Sequence, residues 1–452
     1  MTTTSRSRPR GLNRRILGLA VPAFGALVAE PLFLLADSAI VGHLGTPQLA
    51  GVGVAATVLQ TVVGLMVFLA YSTTPAVARH LGAGRLAEAV AVGRDGMWAA
   101  AGLGVLLSAA GWAAGRPLLE LMGARGEVLE HAVVYLHWSL PGLTAMLLVL
   151  AATGVLRGLQ DTRTPLLIAG TGAAANAGLN VALVHGAGLG VAGAAIGTSL
   201  TQWAMAAAYL AILSRLSRRH AVGAATSWAR LRAHLGVGSW LMLRTVSLRL
   251  AVLATVLVAT GQGAQNLAAH QLVMTVFSFL AYALDALAIA AQALLGRDMG
   301  ARDLTDPAER RGIRALMRRL LAWGLGFGVV TGLAVAVVGT RLGGLFSPDP
   351  AVQALFAAAL LVVAAGQPLA AYVFVLDGVL IGAGDARYLA LAGVLNLAVY
   401  LPLLGLVAAA GHPGATGFVQ LWAAYAGGYM GARALTLGLR AHGDSWLLRD
   451  AR

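Results

Sequence analysis

Cysteine is absent from all 452 residues, and so is lysine: every one of the 32 basic side chains is arginine. Without cysteine there can be no disulfide, no thiolate nucleophile and no cysteine-ligated zinc. Charge is scarce as well, at 11% of residues, where a soluble domain carries about 25%. Most of the chain therefore cannot be facing water. No P-loop sequence occurs, which excludes a built-in ATP motor of that type. The ten histidines show no HExxH and no clustered ligand spacing, so the sequence implies no metal site and no cofactor. An Arg-only, Ala/Gly-rich composition fits a GC-rich genome. The formal charge of +14 does not point to nucleic acid, because the arginines sit in short loops between apolar runs.

Hydrophobic residues make up 58% of the chain, and 58 glycines accompany them. Mean hydropathy is +0.78. Glycine is frequent in membrane helices because it lets backbones approach closely. Crossing about 30 Å of hydrocarbon takes about 20 apolar residues. Twelve stretches qualify, at 16–42, 49–75, 90–115, 128–156, 164–185, 191–214, 236–260, 267–295, 314–340, 351–382, 386–409 and 415–439. The sequence thus predicts an all-α membrane protein. Turn chemistry such as Gly45-Thr46-Pro47, Gly82-Ala83-Gly84 and Ser347-Pro348-Asp349-Pro350 separates the spans.

Arginine sets the orientation. With both termini in the cytoplasm, the inside segments hold twenty-seven arginines, from Arg6, Arg8, Arg10, Arg14 and Arg15 through to Arg433, Arg440, Arg449 and Arg452. The outside loops hold three, Arg116, Arg125 and Arg341, and the remaining two, Arg244 and Arg249, fall inside the seventh span. That bias obeys the positive-inside rule and supports the span count. Arg14-Arg15 ahead of an apolar run resembles a secretion signal superficially. The run continues past Glu30 and Asp37 without a convincing cleavage site, so it reads as an uncleaved first helix behind a disordered basic arm.

The two halves repeat. Gly154-Val155-Leu156-x-Gly158-x-x-Asp161-x-Arg163 recurs as Gly378-Val379-Leu380-x-Gly382-x-x-Asp385-x-Arg387, an offset of 224. Earlier, Arg79-x-x-Gly82-Ala83 matches Arg297-x-x-Gly300-Ala301, and Leu49-Ala50 matches Leu267-Ala268, both at an offset of 218. Shared spacing of several words marks a duplication. The partition that follows is a basic arm at 1–15, an N-lobe of six helices at 16–214, a cytoplasmic linker at 215–235, a C-lobe of six helices at 236–440 and a tail at 441–452. Six is even, so the repeats are parallel, related by a pseudo-two-fold along the membrane normal. Two bundles meeting at a central interface suit alternating access; a duplicated scaffold that transports nothing is the alternative.

Several motifs resemble the multidrug and toxic compound extrusion (MATE) family. They are Pro22, Glu30-Pro31 and Asp37-x-x-x-Val41-Gly42 in the first span; Arg157-Gly158-x-Gln160-Asp161-Thr162-Arg163-Thr164-Pro165 after the fourth; and Gly188-Leu189-Gly190-Val191-Ala192-Gly193-Ala194-Ala195-Ile196-Gly197-Thr198 leading into the sixth. Ala268-Ala269-His270-Gln271 and Leu376-Asp377-Gly378-Val379-Leu380-Ile381-Gly382-Ala383-Gly384-Asp385 are similar to its DinF-type branch. The resemblance runs in order through nearly the whole chain. It implies a twelve-helix, two-lobed antiporter in a bacterial inner membrane, working as a monomer. Such a protein exports small organic compounds, often cationic or amphipathic, against inward protons or sodium. The DinF-type branch is more similar to proton-coupled members. The sodium-linked branch has an acid in helix seven and one early in helix ten; here helix seven has none and helix ten has only the later Asp377.

Intramembrane acids are few: Glu30 and Asp37 in the first span, Asp285 in the eighth and Asp377 in the tenth. A charge near the bilayer centre costs about 3 kcal/mol on insertion scales, so such residues face a cavity or a partner. The resemblance places the family's essential coupling acid at Asp37; the plainer reading is a carboxyl that glues two helices. It also implies that Tyr135, Thr153, Asn176, Asn180 and Thr198 line the cavity around Asp37, each of which could equally be interhelical glue. Asn176 and Asn180 are four apart and share one helix face. Asn180 stands where some relatives have a second acid. Pro22 is a candidate kink, static or bending during the cycle. In the C-lobe, Arg244 and Arg249 are expected to pair with Asp285 or Asp377, since unpaired arginine there is costly. Glu30 lines the cavity or the lobe interface.

Gly188-x-Gly190-x-x-Gly193 matches a dinucleotide fingerprint but lacks a preceding strand. His270 beside Gln271 reads as packing or cavity lining. Lipid-linked or polysaccharide flipping is the rival transport reading, though such flippases have fourteen spans. A membrane enzyme would need a catalytic cluster, and none is visible.

Overall fold

The computed structural model describes residues 9–412 and 414–448, so the first eight residues of the basic arm, together with Arg449 and Arg452, lie outside the described residues. The described residues are almost all helical. The elements are α1 (Pro9–Gly42), α2 (Thr46–Met66), α3 (Phe68–Gly82), α4 (Leu86–Leu121), α5 (Gly126–Gly158), α6 (Arg163–Val181), α7 (Gly190–Arg219), α8 (Trp228–Gly261), α9 (Ala264–Gly300), α10 (Pro307–Val337), α11 (Gly343–Phe346), α12 (Pro350–Gly382), α13 (Ala386–Ala410), α14 (Gly414–Ala423) and α15 (Met430–His442). α2 and α3 form one span broken only at Val67, and α11 is a single turn in a loop. Among the described residues, eleven spans are long and apolar enough to cross a membrane. The twelfth is α14 and α15 joined by a π-helical stretch, Ala424–Tyr429. Large apolar side chains such as Leu106, Leu257, Leu333 and Leu406 are exposed. So much apolar surface suits contact with lipid.

Local chemistry explains several helix starts. Asp306 and Asp349 each cap a helix: Asp306 Oδ1 accepts from Ala308 N at 2.7 Å and Asp349 Oδ1 from Ala351 N at 2.8 Å. A proline follows each cap at the first helical position, where a missing N–H costs nothing. α1 is unbroken through Pro22 and Pro31.

Contacts divide the chain into two compact units of six spans, and they cut it at points the sequence partition does not have. Val21–Ser239 form one unit, the N-lobe below; the residues up to Ala20 group with Trp240 onward as the C-lobe. Residues 9–15, read from sequence as part of a disordered arm, are the first two turns of α1. Asn13 Oδ1 there accepts from Trp323 Nε1 at 3.0 Å and from Arg319 at 3.1 and 3.2 Å, which ties this end of the helix to α10. The linker likewise belongs to the N-lobe. Arg94 donates to Gly223 O at 2.7 Å and Trp98 Nε1 to Ala224 O at 2.9 Å. The start of α8 is held by Arg230 on Asp95 at 3.3 Å, with His234 Nε2 3.3 Å from Ser72 Oγ. The C-terminal tail is anchored too: Trp446 and Leu447 are buried, and Arg314 pairs with Asp444.

The duplicated glycine motif sets helix packing in both lobes. A methyl added at Gly154 would lie 2.8 Å from the Cα of Ala70, and one at Gly378 would lie 2.7 Å from the Cα of Ala288. Ala70 and Ala288 are themselves 218 apart, the offset found for the first part of each repeat. α5 therefore meets α3 as α12 meets α9, backbone against backbone, as small-xxx-small motifs allow.

Candidate functional site

The N-lobe site is built on α1, α5, α6 and α7. Asp37 comes late in α1 and is only 4% exposed. Tyr135 Oη, from α5, donates to Asp37 Oδ2 at 3.0 Å. Asn180 Nδ2, from α6, donates to Asp37 Oδ1 and lies 3.2 Å from Asn176 Oδ1 one turn earlier. Asn176 Nδ2 in turn donates to Thr198 Oγ1 of α7 at 3.1 Å. Four of the five residues expected around Asp37 thus form one chain of hydrogen bonds ending on its carboxyl. The four-residue spacing of the asparagines makes this possible, because it stacks both amides on one face of α6. Thr153 is not part of it: its hydroxyl donates to Tyr209 Oη at 3.1 Å. Asn180 Oδ1 is buried without a hydrogen-bond partner. A π-helical turn, Ala182–Gly186, follows directly after this stretch of α6. Such turns recur at functional sites.

The C-lobe holds a different arrangement. Arg244 of α8 grips Asp377 of α12 with two donors, Nε on Oδ1 at 3.1 Å and Nη2 on Oδ2. Arg433 of α15 reaches the same Oδ2 through Nη2 at 3.5 Å. All three side chains belong to residues 7% exposed. Asp377 therefore faces two guanidiniums. Arg249 is exposed, and among the described residues no carboxylate lies within ion-pair distance of it, so the expected pairing falls to Arg244 alone in span seven. Asp285 is half-buried in α9 and Glu30 is exposed on α1. Beside the ion pair stand Tyr400, Tyr425 and Tyr429, with ring centroids 4.9 to 6.2 Å apart, and Trp422 and Phe277 pack against Tyr425. His270, expected as packing or lining, is fully buried against Trp422, with centroids 5.3 Å apart.

Residues 22–182 and 241–405 match MatE. The chain belongs to the MatE family. MatE members are membrane transporters of small molecules and not enzymes, and this chain is such a transporter. Protein DETOXIFICATION 44, chloroplastic, of Arabidopsis thaliana is 31% identical to this MatE chain over 409 residues, covering 85% of this chain and 74% of its own. DNA damage-inducible protein F of Escherichia coli (strain K12) is 31% identical over 290 residues, 63% of each. The Vibrio cholerae MATE transporter VcmN in its bent form has the same fold, with a TM-score of 0.85 at 22% identity, over 97% of this chain and 99% of that one.

Three features of this MatE chain escaped the sequence reading. Arg433 counted as one more cytoplasmic arginine although it lies within the twelfth stretch, 415–439. Asp95 lay within the third stretch but at its polar end; it is 3% exposed and takes Arg94 at 2.8 Å and Arg230 at 3.3 Å. The tyrosine cluster is spread over α13 and the π-helical stretch, and nothing in its spacing announces it. The repeat offset was the available signal: Thr153 and Tyr209 lie 224 residues before Asp377 and Arg433, the pair that meets in the other lobe.

Proposed function

We propose that this chain exports small, often cationic or amphipathic organic compounds in exchange for inward protons, by alternating access, with Asp37 as the group that takes up and releases the proton. The observation that carries the reading is the buried Asp37 carboxyl at the end of a continuous polar chain, Thr198–Asn176–Asn180–Asp37–Tyr135. Burial disfavours a bare carboxylate, while the donors Tyr135 and Asn180 favour it, so the site has the opposed forces that allow a carboxyl to change state. An ionised carboxylate only accepts, whereas the protonated form also donates. Asn180 is suited to both: its amide now donates, and a half-turn of the amide would present the partnerless Oδ1 to the new O–H.

Protons rather than sodium fit the C-lobe. Asp377, its acid in span ten, already faces Arg244 and Arg433, and a site with a surplus of positive charge repels a metal cation. The protein sits in a bacterial plasma membrane, with both termini in the cytoplasm, since twenty-seven of its arginines then fall inside. The DinF-type branch is its place in the family, by the motifs around Asp377 and His270. It works as a monomer in the lipid bilayer, on small-molecule substrates and without nucleic acid or a cofactor.

The test uses inverted vesicles with an imposed pH gradient and no sodium, wild type beside Asp37→Asn. Adding a cationic dye such as ethidium should release protons in the wild type and not in the variant. Release that survives the substitution would move coupling away from Asp37. Release only when sodium is added would overturn the proton assignment.

A further inference from the structure

Arg433 is a buried guanidinium with few polar contacts among the described residues. A guanidinium has five N–H donors. Among the described residues, Arg433 makes two polar contacts: Nη2 to Asp377 Oδ2 at 3.5 Å and Nη1 to Met430 Sδ at 3.8 Å. The first is at the outer limit of a hydrogen bond and the second goes to a weak acceptor. Two ring faces also stand by it: the Cζ lies 5.9 Å from the Tyr429 centroid and 6.0 Å from that of Phe374. Arg244 has already taken Asp377 in the strong two-pronged manner. A second observation sits one helical turn away. Tyr429 is 1% exposed, and its hydroxyl is buried with no hydrogen-bond partner. A buried, partnerless hydroxyl costs about 1–3 kcal/mol, and here it neighbours an under-used cation.

We propose that Arg433, Tyr429 and Arg244 form a C-lobe binding site for a planar organic anion, an aromatic carboxylate. Its carboxylate lies on the Arg433 fork and accepts from Tyr429 Oη, while its ring stacks against the tyrosine cluster. The sign of the ligand follows from charge, because the three ionic side chains in contact sum to +1. A fork of parallel N–H groups matches the two oxygens of a carboxylate. The ring follows from the aromatic surroundings: Tyr429 lies 4.9 Å from Tyr400 and 5.7 Å from Tyr425, centroid to centroid, so the groups beside the fork are rings. The backbone has a specialised form here too, since Tyr425 and Tyr429 lie on the π-helical stretch and Arg433 follows it by four residues. The N-lobe shows what this site is not. There the equivalent pair is Thr153 and Tyr209, neutral and mutually satisfied. The anion site does not depend on Asp37 carrying the proton.

The experiment is equilibrium binding of radiolabelled 1-naphthoate to the purified full chain in nanodiscs, with 1-naphthylmethylammonium and inorganic phosphate as competitors. The wild type should bind naphthoate. Arg433→Gln should weaken it at least tenfold, and Tyr429→Phe, which removes one hydroxyl and leaves the ring, about threefold. The ammonium, which has the same ring and the opposite charge, should not compete. Phosphate should compete weakly, because it lacks the ring. Gly102→Ala, where an added methyl meets nothing within 4 Å, should leave naphthoate binding unchanged. Absence of naphthoate binding in the wild type would overturn the proposal. So would equal binding by Arg433→Gln and Tyr429→Phe proteins that remain monodisperse and helical, or displacement by the ammonium as strong as by unlabelled naphthoate.

Discussion

Thr153 and Asp377 occupy the same place in the two repeats, 224 residues apart, and each is bonded to the residue 56 positions further on: Thr153 to Tyr209, Asp377 to Arg433. One lobe has filled the position with a neutral pair and the other with an ion pair. Removing the two partners should therefore have unequal effects. Thr153→Val loses one neutral hydrogen bond, at about 1 kcal/mol. Asp377→Asn leaves Arg244 and Arg433 buried without a carboxylate, at about 3–5 kcal/mol. Thermal melting of both purified variants checks the order; equal melting temperatures would mean that water reaches the ion pair.

The Asp37 network predicts a loss of function without a loss of fold. In Asp37→Asn the new side chain keeps one acceptor for Tyr135 or Asn180, so destabilisation should stay within about 1–2 kcal/mol. Proton release on adding substrate should vanish. Melting temperature and size-exclusion profile, measured beside transport, distinguish this from a variant that has merely unfolded.

Backbone contact at the repeated glycines sets a steric limit. Gly378→Ala would bring a methyl to 2.7 Å from the Ala288 Cα, and Gly154→Ala the same group to 2.8 Å from the Ala70 Cα. Each should destabilise by about 1–3 kcal/mol through overpacking. Gly102→Ala is the control, since an added methyl there meets nothing within 4 Å. Its melting point should be unchanged or slightly raised, as alanine favours the helix.

The linker should resist trypsin as long as Asp95 holds it. Asp95 takes Arg94 and Arg230, while Arg94 and Trp98 also bind the linker backbone at Gly223 and Ala224. Asp95→Ala should speed cleavage after the arginines of residues 215–232 several-fold in limited proteolysis. An unchanged rate would show that the two backbone contacts suffice.

The sequence carried the span count, the duplication and most of the N-lobe site, because each rests on a one-dimensional signal. Apolar length marks a span, the shared offset marks the repeat, and the four-residue spacing of Asn176 and Asn180 places two amides beside one carboxyl. Unit boundaries were not legible. Apolar runs show where a helix crosses lipid but not which bundle holds its cytoplasmic end, so Asn13 on α10 and His234 beside Ser72 came only with three dimensions. Arg433 was hidden for a related reason. An arginine in the last turns of a span reads as a cytoplasmic charge, and its burial beside Asp377 depends on which helix faces it from the other side of the lobe.

The π-helical stretch at Ala424–Tyr429 decides where the last helix aims its side chains. A π turn holds one residue more than an α turn. Losing a single codon between the tyrosines of that stretch would let the helix relax to ordinary pitch and leave everything downstream facing nearly the same way, whereas the same loss from an ordinary α-helix swings the following residues by about 100° around the axis. Arg433 would thus still face Asp377, and the positive charge would stay in place. The charge of this lobe is buffered, at the one place where its last helix carries a spare residue, against the in-frame deletion.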